Sequence, residues 1–161
     1  MKTIYLSLGS NIGDRAKNIA KAIEALGARG VGVTKESSLY ETEPVELREQ
    51  AWFLNSVVKA EMDLMPQQLM RALLAIEREM GRTRRVPKGP RLIDMDILLF
   101  GSSVVRTPEL EIPHPRMAER RFVLLPLAEI APAARHPVFR KTIAELLSET
   151  PDRSEVRLFH R

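Results

Sequence analysis

The chain has 161 residues, 44% of them hydrophobic and 29% charged, with a formal net charge of +4 and no cysteine. That length predicts one domain able to bury its own core, and the missing cysteine excludes disulfides, thiolate metal sites and cysteine nucleophiles. No apolar run approaches the ~20 residues of a membrane span and Met1 to Leu6 lack a signal-peptide pattern, so a cytoplasmic protein without a membrane partner is expected; the positive balance suits an anionic ligand.

Residues 3–8 alternate, with Ile4, Leu6 and Leu8 on one face, and predict a strand ending at Gly9-Ser10-Asn11. Asp14 is placed to cap a helix carrying Ile19, Ile23 and Leu26, stopped by Gly27 and Gly30. A second strand is expected over 31–40, and Glu43-Pro44 opens a loop running to about Trp52. Phe53 to Met62 alternate again. Leu54, Val58, Ala60 and Met62 face the core, and Phe53, Asn55 and Val57 lie on the reverse face. Pro66 suits the first turn of a helix. Leu69, Leu73, Ile76 and Met80 then recur at helical spacing, and Gly81 is the expected stop. Beyond 100, Pro108, Pro113 and Pro115 predict an irregular stretch. A short helix is expected over 122–130, interrupted by Pro126, another over 142–147, and a last strand over 156–159. Strand, helix, strand, strand, helix, strand is the split β-α-β order of a ferredoxin-like α+β fold.

The segment 81–100 carries the chemistry. Arg82, Arg84, Arg85, Lys88 and Arg91 form a cationic run with no anion, punctuated by Gly81, Pro87, Gly89 and Pro90. It opens directly onto Leu92-Ile93-Asp94-Met95-Asp96-Ile97-Leu98-Leu99-Phe100. Side chains two apart on a strand share a face, roughly 7 Å apart along the chain. The strand is apolar on both faces beyond Asp94 and Asp96, which predicts a central, covered position. Two carboxylates there are costly unless they bind a cation. Paired oxygen ligands suit Mg²⁺, which takes one or two carboxylates plus substrate phosphates; a wet polar face is the alternative. Arginine forks match phosphate oxygens, although a charge run is more usually a solvated surface loop. In combination the two elements favour a nucleotide site.

No Gly-x-x-x-x-Gly-Lys-Ser/Thr loop is present, and Gly9-Ser10-Asn11-Ile12-Gly13 reads as a tight strand-to-helix turn. Any ATP is therefore held without a P-loop. His114 sits in an extended Ile112-Pro113-His114-Pro115-Arg116 stretch with Arg116 and Arg120 nearby in sequence. The three histidines are too scattered for a zinc site. Phe53 and Asn55 on one strand face suit either edge packing or a flat heterocycle that is stacked and hydrogen-bonded.

Together these residues resemble the 6-hydroxymethyl-7,8-dihydropterin pyrophosphokinases of folate synthesis. The resemblance runs from Tyr5-Leu6-Ser7-Leu8-Gly9-Ser10-Asn11 to about Pro132. It takes in Tyr40-Glu41-Thr42-Glu43-Pro44-Val45, Phe53-Leu54-Asn55, Gly81-Arg82-Thr83-Arg84, Gly89 to Leu98, Ile112 to Met117 and Arg120 to Val123. It implies transfer of the terminal pyrophosphoryl unit of ATP to the pterin hydroxymethyl group, with release of AMP. It also implies a monomer with a ferredoxin-like three-layer α/β/α fold, a central mostly antiparallel sheet and loops that close over substrate. By resemblance, Asp94 and Asp96 match ligands of two Mg²⁺ ions. Arg82 and Arg91 match phosphate-neutralising arginines, assisted by Arg84. Glu77, Ile97, His114, Arg116 and Arg120 match positions at or beside the ATP site. Phe53 and Phe122 match rings that sandwich the pterin, and Asn55 with Thr42, Pro44 and Val45 its hydrogen-bonding edge. Lys88 stands where some relatives carry an aromatic residue.

A basic ferredoxin-like RNA-binding domain would share the charge and strand order. Paired acids repel phosphates without a metal, however, and the chain has only one Trp, two Tyr and five Phe to stack on bases. No nucleic-acid partner is therefore expected. A metal-dependent nucleotide hydrolase would leave the Phe53/Asn55 pocket idle.

Overall fold

Alternating apolar residues build the centre of this protein, seen in a computed structural model that describes residues 1–43, 51–81 and 92–160. Strand β1 (Lys2–Ser10) buries Ile4, Leu6 and Leu8 completely. Asp14 caps helix α1 (Arg15–Ala28), its side chain accepting the Lys17 N–H at 3.1 Å. The helix runs through Gly27 and ends before Gly30, which has φ +83°. The expected second strand is two: β2 (Gly32–Glu36) and β3 (Tyr40–Thr42), lying along the same edge of β4 (Phe53–Met62). Helix α2 (Pro66–Glu79) has Pro66 in its first turn and buries Leu69, Leu73 and Ile76. Gly81 follows it at φ +79°, the left-handed stop. Strand β5 (Asp94–Phe100) comes next.

In the expected irregular stretch the chain forms a small hairpin, β6 (Val105–Arg106) and β7 (Glu111–Ile112), and a 3₁₀ turn at Met117–Glu119. Helix α3 (Arg121–Ile130) continues through Pro126 rather than breaking there. Its apolar residues Val123, Leu124, Leu127 and Ile130 are buried, and that packing outweighs the lost hydrogen bond. Helix α4 (Ile143–Glu149) carries a Thr142–Glu145 capping box, and β8 (Val156–Leu158) closes the chain's described structure.

The main sheet runs β5-β1-β4-β3-β8, with β2 also on β4, and every pairing is antiparallel. Helices α1 and α2 cover one face. Ile4, Leu6, Leu8, Leu54, Val58 and Met62 supply its core. Helices α3 and α4 cover the other, over Val57, Leu98 and Leu99. This is the three-layer α+β sandwich of ferredoxin-like type.

Strand β5 corrects one expectation. Among the described residues it pairs with β1 alone and so lies at the edge of the described sheet, not centrally. It is apolar on both faces because helices cover both, which an edge strand also allows. A shift of register between Tyr5 and Leu6 leaves Leu98 without a β1 partner. This bulge turns both Leu98 and Leu99 toward α3.

Candidate active site

Strand β1 is the axle of the site. Gly9 lies opposite Asp94 on one side and Asn55 on the other, and Ser7 lies opposite Asp96 and Val57. Directly paired residues point the same way. Asp94, Asp96, Asn55 and, two residues earlier on β4, Phe53 therefore share the sheet face that α3 covers. Phe122, near the start of α3, packs against that face's core together with Tyr5. The Arg120 guanidinium stands 5.6 Å from the Phe122 ring centroid.

On the β4 side, Asn55 and Thr42 are both buried, and the Asn55 Nδ2 donates to Thr42 Oγ1 at 2.6 Å. Gly9 makes room for this pair. A Cβ there would lie 2.6 Å from Asn55 Oδ1 and 3.5 Å from Phe53 Cδ1. Sequence reasoning left Gly9 in a turn and missed this role; an isolated glycine at the end of a strand is the signal that pointed to it.

On the β5 side, a cleft of about 400 Å³ opens along the edge of the strand that faces away from β1. Glu77, Asp96, Ile97 and His114 line it, with Leu73 and Leu110 as apolar wall. Glu77 is buried, and its Oε2 accepts the Met95 N–H at 2.8 Å, so it secures the start of β5. Further along, the His114 N–H donates to the Leu98 carbonyl at 3.1 Å. The 112–115 loop thereby covers part of the strand's outer edge. His114 Nδ1 accepts the Arg116 N–H at 3.1 Å. Burial, then Arg120 and Arg116, push its pKa down to about 4 against the pull of Asp94. The ring is thus neutral at pH 7, with Nδ1 an acceptor and its proton on Nε2.

The structure thus brings Glu77, Asp94, Asp96, Ile97, His114, Arg116 and Arg120 to one end of the sheet, and Thr42, Phe53, Asn55 and Phe122 to the adjoining face. Pro44, Val45, Arg82, Arg84 and Arg91, expected to serve the same site, lie outside the described residues. Asp94 and Asp96 are half-buried carboxylates on one face of one strand. That donor set fits Mg²⁺, a hard cation satisfied by two carboxylates with phosphate oxygens and water completing its shell.

The family model for 7,8-dihydro-6-hydroxymethylpterin-pyrophosphokinase matches residues 5–132. A 2-amino-4-hydroxy-6-hydroxymethyldihydropteridine pyrophosphokinase of Aquifex aeolicus is 44% identical over 149 residues, 92% of each chain. Its Bacillus subtilis counterpart is 51% identical over 127 residues, 78% of this chain and 76% of that one. The folic acid synthesis protein fol1 of Pneumocystis carinii is 43% identical over 151 residues, 94% of this chain but 20% of that protein. Among solved structures, wild-type Plasmodium falciparum HPPK-DHPS with pteroate superposes with a TM-score of 0.75 at 18% identity. That match covers 92% of this chain and 42% of the plasmodial one. The chain thus spans nearly all of the Aquifex relative and less than half of the plasmodial and fungal ones.

Proposed function

The chain belongs to the 7,8-dihydro-6-hydroxymethylpterin-pyrophosphokinase family, and on that premise we propose that it transfers pyrophosphate from ATP to the hydroxymethyl group of 6-hydroxymethyl-7,8-dihydropterin. The reaction yields AMP and the pterin pyrophosphate, a step of folate synthesis. The observation that carries this reading is the row through Gly9, in which Asp94 and Asn55 flank a single residue on one sheet face. A phosphate-handling group and a heterocycle-reading group are thereby held two strands apart.

The substrate hydroxyl oxygen attacks the β-phosphorus. A new O–P bond forms there, the bond from that phosphorus to the α-phosphate bridging oxygen breaks, AMP leaves with the electron pair, and the hydroxyl proton is released to solvent. No protein nucleophile is required, so the residues act by positioning and by balancing charge. Asp94 and Asp96 would hold Mg²⁺, which when bound neutralises phosphate charge and orients the chain of phosphates. Glu77 fixes the strand that carries them. His114 offers Nε2–H to a phosphate oxygen while remaining uncharged. Arg82, Arg91 and Arg84 balance the charge that spreads over the transferred group, and Arg116 and Arg120 add to the field. Phe53 and Phe122 stack on the pterin, and Asn55 with Thr42 reads its edge.

The test is incubation with ATP, Mg²⁺ and the hydroxymethyl dihydropterin, with product analysis. AMP appears in step with the pterin pyrophosphate, and chelation of the metal stops it. Formation of ADP, or no reaction, contradicts the reading.

A further inference from the structure

One charged cluster lies outside the site, on the opposite face of the sheet and under its pterin end. Arg157 on β8 donates to Glu41 Oε1 on β3 through Nε at 3.2 Å and a terminal nitrogen at 2.9 Å. The other Glu41 oxygen pairs with Arg15, the first residue of α1, at 2.9 Å. Arg15 in turn donates to the Trp52 carbonyl at 3.0 Å. The Arg157 guanidinium sits 4.6 Å from the centroid of the Trp52 ring. Just before Trp52, the Ala51 carbonyl accepts from Asn11 Nδ2 at 3.1 Å. The segment entering β4 is therefore held at two carbonyls and one ring, immediately before Phe53 and Asn55.

The cluster is better made than ordinary surface ion pairs. Glu41 and Arg15 are only 19% and 22% exposed, and one carboxylate bridges two guanidinia. The Arg157 hydrogen bonds hold the Glu41 carboxyl below its usual range, with Arg15 adding to them and burial opposing. The ladder aligns with the site as well, since β3 pairs Thr42 with Val156 of β8 and with Phe53 of β4.

We infer that Arg157, acting through Glu41 and Trp52, is a positioning residue for the pterin end of the site. The C-terminal strand braces Thr42, Phe53 and Asn55 from behind and sets affinity for the heterocycle without touching it. This rests on the pyrophosphokinase reading above. Its consequence is selective: pterin binding depends on the brace, while the nucleotide end at β5 does not.

Trp52 is the protein's one tryptophan, so its emission reports the brace directly. In Arg157→Ala the ligand-free emission moves to longer wavelength as the indole loses its cover. The pterin KM rises about tenfold, and kcat and the KM for ATP stay within about twofold. Arg157→Lys, which keeps a cation for the ring but not the two-pronged bond, falls between. Lys141→Ala, which removes an exposed pair with Glu149, serves as control and leaves both KM values unchanged. An unchanged pterin KM in Arg157→Ala, an equal rise for ATP, or a loss matched by Lys141→Ala overturns the inference. A wild-type protein that forms no AMP overturns the pyrophosphokinase reading instead.

Discussion

Replacing Gly9 with alanine tests the claim that this glycine holds the two halves of the site together. Its backbone conformation is open to any residue, so the cost is one of space. The new methyl lies 2.6 Å from Asn55 Oδ1, and moving that oxygen out to about 3.4 Å means a shift of about 0.8 Å. Asn55 cannot simply swing away, being buried and bonded to Thr42 at 2.6 Å. Overpacking of this kind costs about 1–3 kcal/mol. In a protein of this size that lowers Tm by about 2–12 °C. The functional loss is larger, because the displaced amide is the group assigned to the pterin edge. We expect the pterin KM to rise more than about tenfold, equivalent to about 1.4 kcal/mol of binding, with the KM for ATP close to wild type. Thermal unfolding and steady-state kinetics with each substrate varied measure both effects. A Gly9→Ala protein with wild-type Tm and wild-type pterin KM would refute the packing argument.

Asp96→Ala should fold normally and lose AMP formation on the order of a hundredfold or more; substantial residual turnover at saturating Mg²⁺ would remove it from the metal site. Glu77→Ala leaves the Met95 N–H without its acceptor, at about 1–3 kcal/mol, and loosens the start of β5. Denaturant titration should show the loss, together with a raised KM for ATP. Asp152 gives a pH test. Burial raises its pKa, but hydrogen bonds from Ser154 and from the Arg121 N–H at the start of α3 outweigh it, so the carboxyl titrates below its ordinary 3.8. Its stabilising effect is present above about pH 4 and disappears as pH falls through the lower folded value. Asp152→Asn should therefore be less stable than wild type at pH 7, with the two curves drawing together as pH falls below the ordinary 3.8 and meeting only below the lowered folded-state value.

The features that were legible in the sequence are those governed by near neighbours. The alternation of β4 gave its bounds, Phe53–Met62, and both of its faces. Pro66, Gly81 and Asp14 marked helix ends because each acts on its own backbone. Asp94 and Asp96 could be placed on one face because period two is local. What could not be read depends on partners far along the chain. The edge position of β5 follows from what pairs with β1, and its bulge at Leu98 from a register set by a strand some 90 residues earlier. The break between β2 and β3 goes with a one-residue offset against β4, since Glu36 lies opposite Val58 but Tyr40 opposite Asn55. Glu77 resembled an ATP-site residue, yet its contact with the Met95 N–H needed the fold to be seen. The Arg157–Glu41 pair joins residues 116 apart, and nothing in either neighbourhood signals it. Pro126 misled in the opposite direction, since local backbone logic yielded there to the burial of Val123, Leu127 and Ile130.

The central claim is that β1 holds a phosphate-handling end and a pterin-reading end in line for attack on the β-phosphorus. Following ATP labelled separately at its β- and γ-phosphorus tests this most directly. Both labels should appear in the pterin product, in equal amounts, with the α-phosphorus left in AMP. Transfer of the γ label alone, with the β label retained in ADP, would contradict the account.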